Sequence, residues 1–453
     1  MQTNDMELEA EVLSEEEKRE NRRKRRVRSQ RLAYLGLFLF IFIIIGAIVA
    51  GVVFSGKYLK NKKQRTEESV GTEQLGENLE VEEEIILEIT EQENEIVTPE
   101  ETLQEVLDEV VESVISEMTL EEKVAGLFIV TPEGITGVDV AVQAGDGTKK
   151  ALEKYPVGGL IYFKKNIKSE SQIQEMIEKS KEYSKYPLFV AVDEEGGEVS
   201  FLAENLKLEN VGNMSDIGST KDVSKAYEAM KNVGTYMVNY GFNLNFAPVA
   251  DVAINADNSS LGDRSFGSDA LVVGEMVTSA VNGLEEMGVT ACVKHFPGMG
   301  DIAADTHNGL VVVDKSMEEL KETELVPFIS AIEGGANMIM VGHICLPQIV
   351  GDNTPATMSK EVISDLLRAE LGFNGVVITE TMDDSAITEY YGADEAAIRA
   401  FKAGADMVLM PENFELAYNG VIEAVKTGTI SEERINDSLK RVYRIKYADS
   451  VGE

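Results

Sequence analysis

Between about Ser113 and Tyr447, short apolar runs alternate with stretches of helical period. Eight runs predict strands: Ala125–Val130, Gly158–Phe163, Leu188–Asp193, Leu244–Asp251, Val289–His295, Met338–Ile344, Gly375–Glu380 and Met407–Pro411. The segments between them include Ser171–Ser184, Ser224–Tyr240, Ala270–Met287, Met317–Glu333 and Ser359–Leu371, which read as amphipathic helices. A strand that is apolar along its whole length is buried on both faces, as in a parallel sheet covered by helices. Eight strand–helix units in about 330 residues predict an α/β fold, a (β/α)8 barrel of the TIM type. The rival is an open, doubly wound sheet. No Gly-x-Gly-x-x-Gly follows the first strand, which weakens any dinucleotide reading.

Ahead of the barrel the pattern changes twice. Residues 32–56 contain no charged residue. As a helix they are long enough to cross a hydrocarbon core of about 30 Å, so one transmembrane helix is expected there, with the lipid bilayer as its partner. The basic cluster Arg22–Arg26 outweighs the one between Lys57 and Arg65. That bias places residues 1–31 as a cytoplasmic tail and everything beyond the span outside the cell membrane. Residues 57–112 form an acidic extracellular spacer, either a partly helical stalk or disordered chain. The barrel domain is expected from 113 to 449.

Charge narrows the partners. The 453 residues include 80 acidic and 42 basic ones, a formal charge of −38. Nucleic acid needs a basic footprint and is not expected as a partner. The two cysteines, Cys292 and Cys345, lie in apolar runs. Buried free thiols are expected, with a disulfide as the rival reading.

The polar residues of the barrel segment have a direction. Asp193, Asp251, Lys294, His295, His343 and Glu380 all fall at the C-terminal ends of expected strands. In a barrel that end is the catalytic face. The stretch Lys294-His295-Phe296-Pro297-Gly298-Met299-Gly300-Asp301, followed by Asp305-Thr306-His307, holds two of the chain's three histidines. A carboxylate nucleophile and a proton donor flanking one bond suit glycoside hydrolysis. Glu380 offers the carboxylate, His307 the proton, and Asp305 a partner that stabilises the charged imidazole. Asp193, Arg264, Lys294 and His295 would hydrogen-bond sugar hydroxyls. The acids Asp193-Glu194-Glu195 precede Gly196-Gly197 and suggest a shaped turn, in which one acid has a purely structural role. Asp383-Asp384 reads as a loop or helix-start feature rather than a catalytic pair. No His-x-x-x-His pair or cysteine ligand set supports a metal, and no cofactor is expected.

These residues resemble glycoside hydrolase family 3, specifically its β-N-acetylhexosaminidase branch, over about residues 116–448. The resemblance rests on Met118-Thr-Leu-Glu-Glu-Lys123, Val192-Asp-Glu-Glu-Gly-Gly197, the Arg264 turn, the Lys294-His295 loop with its Asp-Thr-His end, Pro355-Ala-Thr-Met-Ser359 and Leu371-Gly-Phe-Asn-Gly-Val-Val-Ile-Thr379. It implies a TIM barrel, a retaining double displacement without metal, and a terminal N-acetylglucosamine on a cell-wall or related glycan as substrate. It also implies His307 as acid/base with Asp305 as its partner, and sugar contacts from Asp193, Arg264, Lys294 and His295. The chain departs from the family where Glu380 replaces an aspartate nucleophile, Glu198 and Phe201 replace arginines, and Met299 replaces a histidine. A surface glycan-binding protein of the same fold with impaired catalysis is the alternative. The acceptor, water or phosphate, stays open.

Overall fold

The computed structural model describes residues 99–448, apart from 256, 259 and 303–308. The expected cytoplasmic tail, the membrane span 32–56 and most of the spacer lie outside the described residues, as do Asp305 and His307. No helix among the described residues is long and apolar enough to cross a membrane.

Eight parallel strands close into a barrel: β1 (Phe128–Val130), β2 (Gly159–Ile161), β3 (Phe189–Val192), β4 (Leu244–Asn245), β5 (Thr290–Phe296), β6 (Met338–Val341), β7 (Val376–Thr381) and β8 (Met407–Leu409). Each strand pairs with its neighbours in sequence, and β8 closes on β1 through Phe128↔Val408 and Ile129↔Leu409. All eight expected strands are present, and most are shorter than their apolar runs. The reason is visible at β4. The ladder ends at Asn245, but the chain continues extended, and the Ala250 N–H donates to the Lys294 carbonyl at 2.6 Å. Asp251 is therefore carried along the outgoing end of β5.

The helices follow local chemistry. Thr119 caps Leu120–Ala125 with a reciprocal box, its hydroxyl accepting from Glu122 N–H while the Glu122 carboxylate accepts from Thr119 N–H. The helix expected over Met317–Glu333 is two, Met317–Glu322 and Val326–Glu333. Pro327 is the cause: it is tolerated in the first turn of a helix but not in its interior. Both cysteines are buried and free, as the apolar context suggests.

The domain's beginning differs from expectation. A helix, Pro99–Glu117, starts inside the stretch read as acidic spacer, and the boundary expected at 113 falls within it. Its Leu107, Val111 and Ile115 are buried in the main core. Its Asp108 holds Arg444 of the helix Glu432–Tyr447 through two bonds of 2.7 and 2.8 Å. Composition hid this helix because its exposed positions are Glu-rich while its apolar stripe is thin. Leu107→Ala is expected to lower stability by about 2 kcal/mol or more, read as a shift in urea midpoint. A residue in a free spacer would leave the midpoint unmoved.

Candidate active site

The charged groups at the outgoing ends of the strands are joined in one chain of contacts. Asp193 follows β3. Glu195 sits in a small antiparallel hairpin, Glu194–Gly196 against Val199–Ser200. Gly196 and Gly197 turn it at φ of 101° and 58°, values that glycine tolerates best. Lys294, on β5, places its ammonium 2.7 Å from Asp193 Oδ1 and 2.7 Å from Glu195 Oε1. Arg264, in the turn Gly262–Arg264, grips both oxygens of Glu195 at 2.7 and 2.8 Å and donates a further bond to the Ser260 carbonyl.

Burial makes this cluster strong and demanding. The side chains of Lys294 and Glu195 are only 4% and 2% exposed. Burial alone would raise the Glu195 carboxyl, but the Lys294 and Arg264 charges outweigh it and hold it down at about 2. Burial also works against the Lys294 ammonium, and Asp193 and Glu195 overcome it, so its pKa is raised. Both groups stay charged across the physiological range.

Glu194 is the structural acid of the trio. It points under the hairpin, accepting from Leu202 N–H (2.6 Å), Ala203 N–H (3.1 Å) and the Tyr236 hydroxyl (2.8 Å). Burial pushes its carboxyl up to about 7, against these three donors, which favour its charged form. Asp384 caps the short helix Ser385–Thr388 through Ala386 N–H, which makes it the helix-start of the two expected alternatives.

His295 lies beside Lys294. Its Nδ1 meets Asp251 Oδ2 at 2.7 Å, and the other oxygen of Asp251 accepts from Met299 N–H at 2.7 Å. Asp251 thus fixes the ring and shapes the Pro-Gly-Met-Gly loop at once.

Glu380 ends β7. One of its oxygens accepts from the backbone N–H of His343 at 2.9 Å. The His343 ring closes a second grip: Nε2 faces the Thr381 carbonyl at 2.9 Å, and Nδ1 faces the Thr357 hydroxyl at 2.9 Å. A carbonyl only accepts, so Nε2 carries a proton and donates to it. His343 therefore holds the Glu380 carboxylate with its main chain and the carbonyl of the next residue with its ring. Gly342 shows how near the pieces lie: a Cβ built there would stand 3.2 Å from His295 Cβ and 3.4 Å from Glu380 Oε2.

Two strand irregularities aim these groups. Between the pairings Ile378↔Met407 and Thr381↔Leu409, β7 advances one residue more than β8, at Thr379–Glu380. Between Val293↔Ile339 and Phe296↔Val341, β5 does the same against β6, at Lys294–His295. Such bulges redirect side chains where a ladder ends.

The site so assembled joins Asp193, Arg264, Lys294 and His295, with Glu380 next to His295 across Gly342. Asp305 and His307 lie outside the described residues. The strand that follows them, Val311–Val312, pairs with Ile344–Cys345, directly after His343. Glu195, Asp251 and His343 emerge as partners of the expected residues. Strand-end position was the signal for Asp251 and His343, and nothing local distinguishes Glu195 from Glu194.

The family model described as the Glycosyl hydrolase family 3 N terminal domain matches residues 119–445. The chain belongs to that family. It is 33% identical to Beta-hexosaminidase A of Pseudoalteromonas piscicida, with 65% of this chain and 54% of that one covered. It is 32% identical to a Beta-hexosaminidase of Hydrogenovibrio crunogenus, covering 62% of this chain and 79% of the relative. Among solved structures, a glycoside hydrolase family 3 beta-N-acetylglucosaminidase from a Paenibacillus species matches with a TM-score of 0.67 and 36% identity, over 74% of this chain and 64% of that one. The chain thus spans about half the length of the first relative and less than two thirds of this solved structure.

The ion cluster has a pH dependence of known sign. The Glu195 pKa lies below its ordinary 4.5, so the stability it contributes is complete above that value and is lost as pH falls toward about 2. Glu195→Gln is expected to cost about 3–5 kcal/mol at pH 6, by leaving buried cations short of a partner. The same variant should show a shallower fall in urea midpoint than the unaltered protein between pH 4.5 and about 2. Parallel curves for the two proteins would contradict the assignment.

Proposed function

We propose that this chain is a retaining exo-β-N-acetylhexosaminidase that hydrolyses terminal N-acetylglucosamine from cell-wall or related glycans. The observation that carries the reading is the convergence of a gripped carboxylate, Glu380, with the cluster of Asp193, Lys294, His295 and Arg264 at the outgoing end of a barrel of this family. The names of the relatives support the same activity.

In this reading Asp193, Arg264, Lys294 and His295 hold the hydroxyls of the terminal sugar, and the charged cluster keeps their donors and acceptors in place before substrate arrives. Glu380 attacks the anomeric carbon as the glycosidic bond breaks, forming a glycosyl ester. His307 gives its proton to the leaving oxygen, and Asp305 stabilises the imidazolium before that transfer. In the second half His307 takes a proton from water, the water oxygen bonds to the anomeric carbon, and the Glu380 ester bond breaks. Two inversions leave the configuration retained. Every step uses side chains alone, without metal or cofactor.

Glutamate is one methylene longer than the family's aspartate, so its carboxylate must be drawn back by the main chain to meet the same carbon. The bulge at Thr379–Glu380 and the His343 grip are the local features that support this placement.

We read residues 32–56 as a single transmembrane helix in the cell membrane, with a cytoplasmic N-terminus and the barrel outside. The charge-free run and the heavier basic cluster before it support this. Deleting residues 32–56 is expected to move the protein from the membrane pellet to the soluble fraction, and retention in the pellet would refute the anchor.

Glu380→Gln is expected to lower kcat on an aryl N-acetylglucosaminide by at least about 10³-fold, since it removes the nucleophile. A 2-deoxy-2-fluoro glycoside should label Glu380 covalently, as located by peptide mass. His307→Ala should slow turnover strongly and lose the basic limb of the pH–rate profile. Full activity in Glu380→Gln would rule out the assignment.

A further inference from the structure

Lys294 keeps its buried charge because two carboxylates face it. Lys446, in the last turn of the helix Glu432–Tyr447, has no such support: no carboxylate pairs with it among the described residues. Its ammonium donates to the Gly158 carbonyl at 2.6 Å and lies 4.8 Å from the centre of the Phe189 ring and 5.4 Å from that of Tyr443. Burial pulls its pKa down to about 7. Lys446 lines a cavity of about 470 Å³ under the incoming ends of β3 to β6, together with Arg444, Asn243, Thr290 and Asn337. Among the described residues one acid, Glu285, lines the same cavity, and one of its oxygens accepts from Ala291 N–H at 3.2 Å. A second cavity, of about 380 Å³, lies under β6 and β7; it shares Asn337, Arg444 and Ile445 with the first and adds Arg441.

Cations are in surplus behind this wall as well. Arg368, Arg434 and Arg441 converge on the fully buried carboxylate of Asp406. Burial lowers the pKa of Arg368 and Arg434, and Asp406 offsets that only in part. The chain as a whole is acidic, with a formal charge of −38, and this end of the barrel runs against it. A buried cation without a counterion is costly, and an oxyanion that accepts charge-assisted bonds from it offsets that cost. An ammonium has three donors, of which the Gly158 carbonyl takes one. We propose that the cavity lined by Lys446 and Arg444 is a binding site for a small, doubly charged oxyanion of the phosphate or sulfate class, at the end of the barrel opposite the catalytic one. Lys446 supplies the buried charge and Arg444 a second, more exposed one, while the arginines around Asp406 keep the local potential positive. The site is separate from the sugar site and does not rest on the hexosaminidase reading.

The test uses the full chain at fixed ionic strength, with sodium sulfate exchanged for sodium chloride. Sulfate is the first probe because it is a poor nucleophile and does not stand in for a sugar acceptor; inorganic phosphate is the second. Calorimetry is expected to show saturable binding of sulfate, and the melting temperature to rise with the logarithm of its concentration. Lys446→Met keeps an apolar stem against Phe189 and removes the charge, so both anions should bind at least about tenfold more weakly. In chloride alone this variant should melt no lower than the unaltered protein, because an unpaired buried cation has been removed. Arg444→Gln, at an exposed position, should weaken binding by about threefold or more. Hydrolysis of an aryl N-acetylglucosaminide should stay within about twofold in both variants, since the cavity lies at the far end of the barrel from the catalytic face. Absence of sulfate binding by the unaltered protein, or equal affinity in Lys446→Met, overturns the site. Should Lys446→Met fail to fold, equal affinity in Arg444→Gln overturns it instead.

Discussion

Lys294 is the group on which the site depends. A buried ammonium is tolerable only while Asp193 and Glu195 both face it, and Glu195 is tolerable only while Lys294 and Arg264 both face it. Each charge stabilises its neighbours and would be costly without them. The constraint therefore joins the loops after β3 and β4 to the strand β5 and locks their relative positions. A site assembled this way has its polar groups oriented before any ligand arrives, which is the condition under which electrostatic stabilisation is most effective.

The same economy recurs at smaller scale. Asp251 serves the His295 ring with one oxygen and the following loop with the other. His343 holds the Glu380 carboxylate with its main chain and the neighbouring carbonyl with its ring. Neither needs to touch a substrate to matter, because a displacement of about 1 Å at a reacting atom is costly. The strand bulges at Lys294–His295 and Thr379–Glu380 belong to the same design, since each turns a residue out of the regular alternation where the ladder ends.

Much of this was legible before any coordinates. Strand and helix types follow from apolar periodicity, a property of neighbours along the chain, and so the eight strands and their order could be read directly. The catalytic end was also legible, because polar residues that close an apolar strand must emerge there. What the chain alone did not separate was Glu194 from Glu195: adjacent and chemically alike, one caps a short helix and the other holds Lys294 and Arg264, across 99 and 69 positions in sequence. Nor did composition show that the helix Pro99–Glu117 belongs to the domain, because its burial depends on Arg444 and the far C-terminal helix. Periodicity is local, whereas the worth of a charge depends on what is packed around it, and only the folded chain brings those neighbours together.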